Sequence, residues 1–357
     1  MNVQQVLPRD AIPSVDDPSF VTDYDGRADD EVIVVDVVDA AVADDTADAA
    51  DGGEVARAYP VRYLHYHEIV NDRVGDVPVA VTWCPLCGSA VVYDRRVSGE
   101  GESRILEFGV SGKLADDDLV MYDRETESEW KQSLGRCIAG PLEGHELDVL
   151  PASLTTWGRF RETHPEGVVL APPGGASEAA SDTDDPAPID YDAAPYEAYF
   201  EMEGFGLGAH RGDDSRDWNR TDLDPKTVVL GVESGGEAIG FPLPVVEAEG
   251  GVVTATVGDV AAVVFAGDGG VHAFERPTGF EFRRGDGTDD GDVTADSDVT
   301  DGDDDQTGRF VADGTTWDGA TGVGADGRQL VRLPARRLFA FAWQDDHGRD
   351  AFFGVEG

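Results

Sequence analysis

Two of the chain's three cysteines lie in Thr82-Trp-Cys84-Pro-Leu-Cys87-Gly88. Just upstream, Tyr63-Leu-His65-Tyr-His67-Glu68-Ile-Val-Asn71-Asp72 holds the densest set of side chains able to ligate a metal or move a proton. A Cys-Pro-x-Cys-Gly turn has the form of a metal knuckle: it points two thiolates one way, and its glycine permits the positive φ that lets backbone N–H groups face the sulfurs. One knuckle is half a tetrahedral site, so the other ligands would come from His67, His65, Glu68 or Cys137. A Cys₂His set with an open or water-filled position is the catalytic arrangement, and thiolate with imidazole suits zinc, copper or iron.

Two other chemistries fit the same residues. The cysteines could cycle between dithiol and disulfide with His67 or Glu68 as proton acceptor, or they could pack in the hairpin as small hydrophobes. The candidate catalytic set is therefore Cys84, Cys87, His67 and Glu68, and the candidate metal set is Cys84, Cys87 and His67, with Glu68 orienting. Asn71-Asp72 before Arg73-Val-Gly-Asp reads first as a turn, Trp130 as core, and Cys137 as a buried small residue. The sequence has no Gly-x-Gly-x-x-Gly opening a helix, no Walker loop, no His-Glu-x-x-His and no Gly-x-Ser-x-Gly.

Positioning these residues falls to the flanking elements. Residues 77–94 read as two β-branched strands around the cysteine turn. Residues 61–69 have apolar spacing compatible with a short helix, which would set His65 and Ile69 on one face and His67 on another. Glu31-Val-Ile-Val-Val is a buried strand, and many short strands between Gly, Asp and Pro turns follow through Phe160, so the fold class is mainly β with a few short helices.

Self-comparison suggests an internal duplication into two related β-rich lobes. Gly52-Gly-Glu-Val-Ala-Arg-Ala-Tyr-Pro60 is echoed by Gly235-Gly-Glu-Ala-Ile-Gly-Phe-Pro242, and Val74-Gly-Asp-Val by Val257-Gly-Asp-Val. Trp130 answers Trp317, and Leu147, Leu150, Pro151 and Ala152 answer Leu330, Leu333, Pro334 and Ala335. The second copy has Ala266-Gly-Asp-Gly-Gly270 where the first has its cysteines, and Val245-Val-Glu-Ala-Glu where the first has His-Glu. What only the first copy carries, His65, His67, Glu68, Asn71, Asp72, Cys84, Cys87 and Gln132, is the candidate site. Because Ala-Gly-Asp-Gly-Gly is a hairpin turn, the cysteines should occupy one too, which argues against a thioredoxin-like thiol at a helix N-terminus.

The expected organisation is a first repeat over 1–170, an acidic Pro/Gly/Ala linker over 171–195 and a degenerate second repeat over 196–357. Residues 39–53 read as a solvated insertion and 285–308 as a disordered acidic loop whose Asp spacing fails the EF-hand pattern. Lys and Arg number 27 against 73 Asp and Glu, a net charge of −46, and there are only three lysines. That balance repels nucleic acid and anionic membranes and fits a salt-rich cytoplasm. No stretch reaches the roughly 18 apolar residues of a membrane span, and the start lacks a basic head and apolar h-region, so a soluble cytoplasmic protein with an unspecified small-molecule or protein partner is expected.

Arg9-Asp-Ala-Ile-Pro, Ala56-Arg-Ala-Tyr-Pro, His67-Glu-Ile-Val-Asn-Asp72, Thr82-Trp-Cys-Pro-Leu-Cys-Gly88, Phe108-Gly-Val-Ser-Gly112, Leu119-Val-Met-Tyr-Asp-Arg124 and Thr155-Thr-Trp157 together make a specific combination. On these the chain resembles the uncharacterised family known as domain of unknown function 3179, and is similar to its haloarchaeal members. The resemblance covers essentially the whole chain and implies no activity. It implies exported relatives, a pattern from which the start of this chain departs. The functional expectation is a metal- or thiol-dependent protein, an oxidoreductase being one form; its rival is a non-catalytic binding module whose knuckle only staples a hairpin.

Overall fold

The computed structural model describes residues 1–36, 55–99, 102–181, 183, 185–212, 216–267, 270–285 and 308–355. The insertion expected at 39–53 and nearly all of the acidic loop at 285–308 lie outside these residues. The fold is β-rich, with short helices.

The strands Ile69–Val74, Val77–Cys84 and Ser89–Asp94 form an antiparallel meander. Along Val77–Cys84 every residue is buried, as a strand covered on both faces requires. Its alternation still sorts the side chains. Val77, Val79, Val81 and Trp83 enter one apolar cluster, while Ala80 and Cys84 enter another. The period of two thus sends Cys84 to the opposite face from Trp83.

Helix Val61–His67 precedes the meander. Pro60, extended at φ −62°, starts it without a side-chain cap, and Glu68 ends it with φ +57°. The expected helix is therefore present.

The same succession of elements occurs again. Strands Glu31–Val35 and Arg57–Pro60, helix Val61–His67 and the meander are matched by strands Val228–Ser234 and Glu237–Pro242, helix Leu243–Ala248 and a meander of Val252–Val257, Val260–Gly267 and Gly270–Glu275. Each series ends in a strand that pairs with its own first strand and runs into a helix: Ser153–Thr156 with Trp157–Thr163, and Arg336–Phe339 with Ala340–His347.

The halves are joined within one sheet. Its order is Glu237–Pro242, Val228–Ser234, Arg336–Phe339, Ser89–Asp94, Val77–Cys84, Ile69–Val74, with Arg337 opposite Ala90 at the seam. A five-stranded sheet, Val3–Gln5, Phe108–Ala115, Asp118–Asp123, Glu129–Lys131 and Arg136–Ala139, packs through the cluster that holds Cys84 and Cys87.

The segment 171–195 is more structured than its composition suggests. It carries the pairing of Ala176–Ser177 with Ala187–Pro188 and a 3₁₀ turn, Glu178–Ala180. It is also tied to the helix: Tyr66 Oη donates to the carbonyls of Asp190 at 3.0 Å and Ala193 at 3.2 Å. Tyr191 gives it apolar surface that a count of Ala, Gly, Pro and Asp overlooks.

Candidate functional site

Two hairpin turns face each other at the centre of the molecule. One is Pro85-Leu-Cys-Gly88, closing Val77–Cys84 onto Ser89–Asp94, with Gly88 at φ +53°. The other is Asp116-Asp117, both at positive φ, closing Phe108–Ala115 onto Asp118–Asp123. The Cys87 thiol donates to the Asp117 carbonyl at 3.4 Å. Asp118, first residue of its strand, thereby meets the cysteines.

Cys84, Cys87 and Asp118 are all buried, and one ligand atom of each lies within 4.8 Å of the other two. Among the described residues this is the one such set of three His, Cys, Asp or Glu. All three cysteines are free thiols. Burial pushes the Cys84 thiol up, partly offset by hydrogen bonding from the Cys87 side chain and backbone N–H. The Cys87 thiol is raised further, by burial and then by Cys84.

Burial raises the Asp118 carboxyl to about 6, against the pull of Lys131 and with a push from Asp346. Its Oδ2 accepts the Ser133 N–H at 2.8 Å, whereas the buried Oδ1 has no hydrogen-bond partner. Lys131 pairs with Asp346 across the two halves, both side chains almost fully buried.

The turn itself is held by the second half and the segment before it. Tyr199 Oη donates to the Leu86 carbonyl at 2.6 Å, the Phe339 N–H to the Cys87 carbonyl at 2.8 Å, and Arg337 Nη1 to the Gly88 carbonyl at 2.5 Å. Three successive carbonyls are thus satisfied by residues distant in sequence, which fixes the thiols' directions.

Glu68 is buried, and its Oε2 has no partner. Burial raises its carboxyl to about 8, helped by Glu178 and Asp118. Its charge also acts on Cys84, so it belongs to the same electrostatic unit as the thiols and Asp118.

His67 is placed otherwise than as a ligand. Nδ1 lies 2.9 Å from the Pro13 carbonyl, which can only accept, so Nδ1 carries the proton; Nε2 then accepts from Tyr191 Oη at 2.7 Å. Both ring nitrogens are used, and His67 is outside the three-ligand set. His67 was expected as the ligand that completes the cysteine pair; the helix turns its ring towards Pro13 and Tyr191, and the group of three donors contains Asp118 and not His67. His65, on the other helical face, rests against Trp83, Tyr196 and Phe200, and burial lowers its pKa to about 4.

The remaining residues divide clearly. Asn71 ties Asp16 to the backbone of Phe108, and Asp72 accepts from Arg57 and Tyr59, so both are structural. Gln132 donates to Thr82 Oγ1 at 2.8 Å, beneath the cysteine hairpin. Cys137 donates to the Ala139 carbonyl at 3.4 Å and is outside the ligand set. Asp118 was not among the candidate site residues, because in Asp118-Leu-Val-Met-Tyr-Asp123 it reads only as the start of a short strand. The available signal was Lys131, one of only three lysines, set beside Trp130 in a buried strand.

No helix among the described residues is long and apolar enough to cross a membrane. No curated protein and no solved structure matches the chain. A family model described as "Protein of unknown function (DUF3179)" matches residues 9–350, and the chain belongs to that family.

Proposed function

We propose that the protein binds a divalent transition metal through Cys84, Cys87 and Asp118. The observation that carries this reading is the convergence of three buried donors, one with a carboxylate oxygen lacking any other partner. Two thiolates and a carboxylate mix soft and hard donors, which favours zinc, with iron and copper as the other candidates. Two thiolates, one carboxylate and a divalent ion leave one negative charge, and Lys131, which is paired with Asp346, acts on Asp118 as the nearby positive charge. The position opposite the three donors is left for water or substrate. Glu68, a carboxyl with a pKa near neutrality, is suited to take or give a proton there.

A dithiol–disulfide oxidoreductase is the second reading, favoured by two free thiols whose sulfurs lie within 4.8 Å of one another. Oxidation would form one S–S bond and release two protons and two electrons to a small-molecule or protein oxidant, with Glu68 as first proton acceptor. The absence of both cysteines from the hairpin of Val260–Gly267 with Gly270–Glu275, which holds the corresponding place in the second series of elements, supports either form. The net charge of −46 supports a salt-rich cytoplasm as its compartment.

Elemental analysis with thiol titration separates the readings. The metal reading expects about one equivalent per chain, retained on gel filtration, lost in Cys84→Ser and Asp118→Asn, and kept in His67→Gln. A metal-free protein losing two titratable thiols to mild oxidant and regaining them with reductant supports the dithiol instead. Neither behaviour in a folded protein leaves a hairpin packed with small apolar residues and refutes both.

A further inference from the structure

A cavity of about 410 Å³ lies where the segment 171–195 meets helix Val61–His67. Its walls include Tyr66, Glu178, Asp190, Tyr196 and His210. No lysine or arginine among the described residues lines it; Arg211 borders the adjoining cavity, with Glu178 as the shared wall. Asp190 and Ala193 are exposed and mark the mouth, whereas Tyr196 is buried and marks the inner end.

Two of these walls also belong to the surroundings of the thiols. Tyr196 is part of the apolar cluster that holds Cys84, Leu86 and Cys87, and Ala179 packs against that cluster. The 3₁₀ turn Glu178–Ala180 packs on helix Val61–His67, which ends at Glu68. The Glu68 carbonyl accepts the Trp83 N–H at 2.8 Å, so Glu68 lies alongside the strand end that carries Cys84. The electrostatics agree with this placement: the charges of Glu68, Cys84 and Glu178 all act on Tyr196, and that of Glu178 acts on Glu68. Tyr196 is thus shared by the cavity wall and the thiol cluster.

A cleft lined by one sign of charge within low-dielectric walls concentrates species of the opposite sign and repels those of its own. We propose that this cavity is the entrance to the cysteine site, with Tyr196 as its inner barrier and with Glu178 and Asp190 selecting small cations over anions. A metal ion or substrate reaching the thiols would then carry positive charge or none, and organic acids and phosphates would be held back. The proposal rests on the reading of Cys84 and Cys87 as the functional donors, but its test needs no bound metal. A chain that binds metal and shows no entrance effect fails here alone, and a chain that binds none can still show the effect.

Rates of thiol modification in the full chain test it, read by peptide mass spectrometry after dialysis against a chelator and at constant ionic strength set with KCl. Trimethylammonioethyl methanethiosulfonate, a cation, should modify Cys84 or Cys87 at least about tenfold faster than the anionic sulfonatoethyl reagent of similar size. Glu178→Gln should reduce that preference at least about threefold, whereas Glu143→Gln, which removes an equal charge that acts on Cys137 instead, should leave it unchanged. Ala193→Trp, at the exposed mouth, should slow both reagents at Cys84 and Cys87 at least about fivefold without changing the rate at Cys137. Tyr196→Ala should speed both reagents; if it unfolds the protein, Glu178→Gln and Ala193→Trp decide. No modification of either thiol in the folded chain, no preference for the cation, a preference lowered equally by the two glutamate changes, or rates indifferent to Ala193→Trp would overturn the proposal.

Discussion

Replacing His272 by Gln should make the protein less sensitive to acid, by an amount that follows from its burial. His272 is 3% exposed on strand Gly270–Glu275, and burial, with Arg332 adding to it, lowers its pKa to about 3. In the unfolded chain it titrates near 6.5. Between these values the unfolded state binds a proton that the folded state does not, so stability is complete above about pH 6.5 and is lost as pH falls towards 3. The slope is roughly 1.4 kcal/mol per pH unit, hence roughly 2 kcal/mol between pH 6.5 and 5 and about 5 kcal/mol over the full interval. Glutamine is uncharged throughout, and its amide oxygen can face Arg332 as Nδ1 does. Urea unfolding followed by tryptophan fluorescence, at half-unit steps from pH 7.5 to 5, should show the free-energy difference between variant and wild type moving by roughly 2 kcal/mol in the variant's favour. All other titrating groups are common to both proteins and cancel. Parallel stability curves would refute the claim that His272 is held neutral by burial.

Two further perturbations probe the cysteine turn and its support. Lys131→Met should destabilise the protein by about 3–5 kcal/mol by leaving Asp346 buried without its cation, and adding Asp346→Leu should recover most of the loss in a double-mutant cycle by urea unfolding. Gly88→Ala should cost about 2–4 kcal/mol in the same assay, since its φ is +53° and a Cβ would stand 2.6 Å from the Phe339 ring; a loss below about 0.5 kcal/mol would show that the turn relaxes freely.

The sequence made local features legible and left long-range ones hidden. The cysteine hairpin could be read because β-branched runs flank a Gly-ended turn, and the helix before it because its apolar spacing has a period near 3.6. That same helix phase already separated His65 from His67. It could not say which face met the thiols, and in the fold neither histidine joins the ligand set. Asp118 was hidden because its role arises only when one hairpin turn is brought against another 30 residues away. Acid runs in a chain with 73 acidic residues carry little contrast, so a single buried carboxylate cannot be picked out by composition. The repeated pattern, in contrast, was visible as matched Pro, Gly and Trp positions, because turn and core residues tolerate few substitutes.

The seam at Arg337 and Ala90 also bears on how the molecule is assembled over time. Strand Arg336–Phe339 sits between Val228–Ser234 and Ser89–Asp94, so residues through 339 must be present before the central sheet can close. Until then the Cys87 and Gly88 carbonyls lack Phe339 and Arg337, and Lys131 lacks Asp346. Contacts spanning more than 200 residues form slowly, because a large loop must be closed before they return any stability. During synthesis on the ribosome, the first half would therefore emerge with its cysteine turn lacking these partners until residues 337–346 follow. Metal loading or thiol oxidation before that moment would meet an open, flexible dithiol instead of the sealed one in the folded protein.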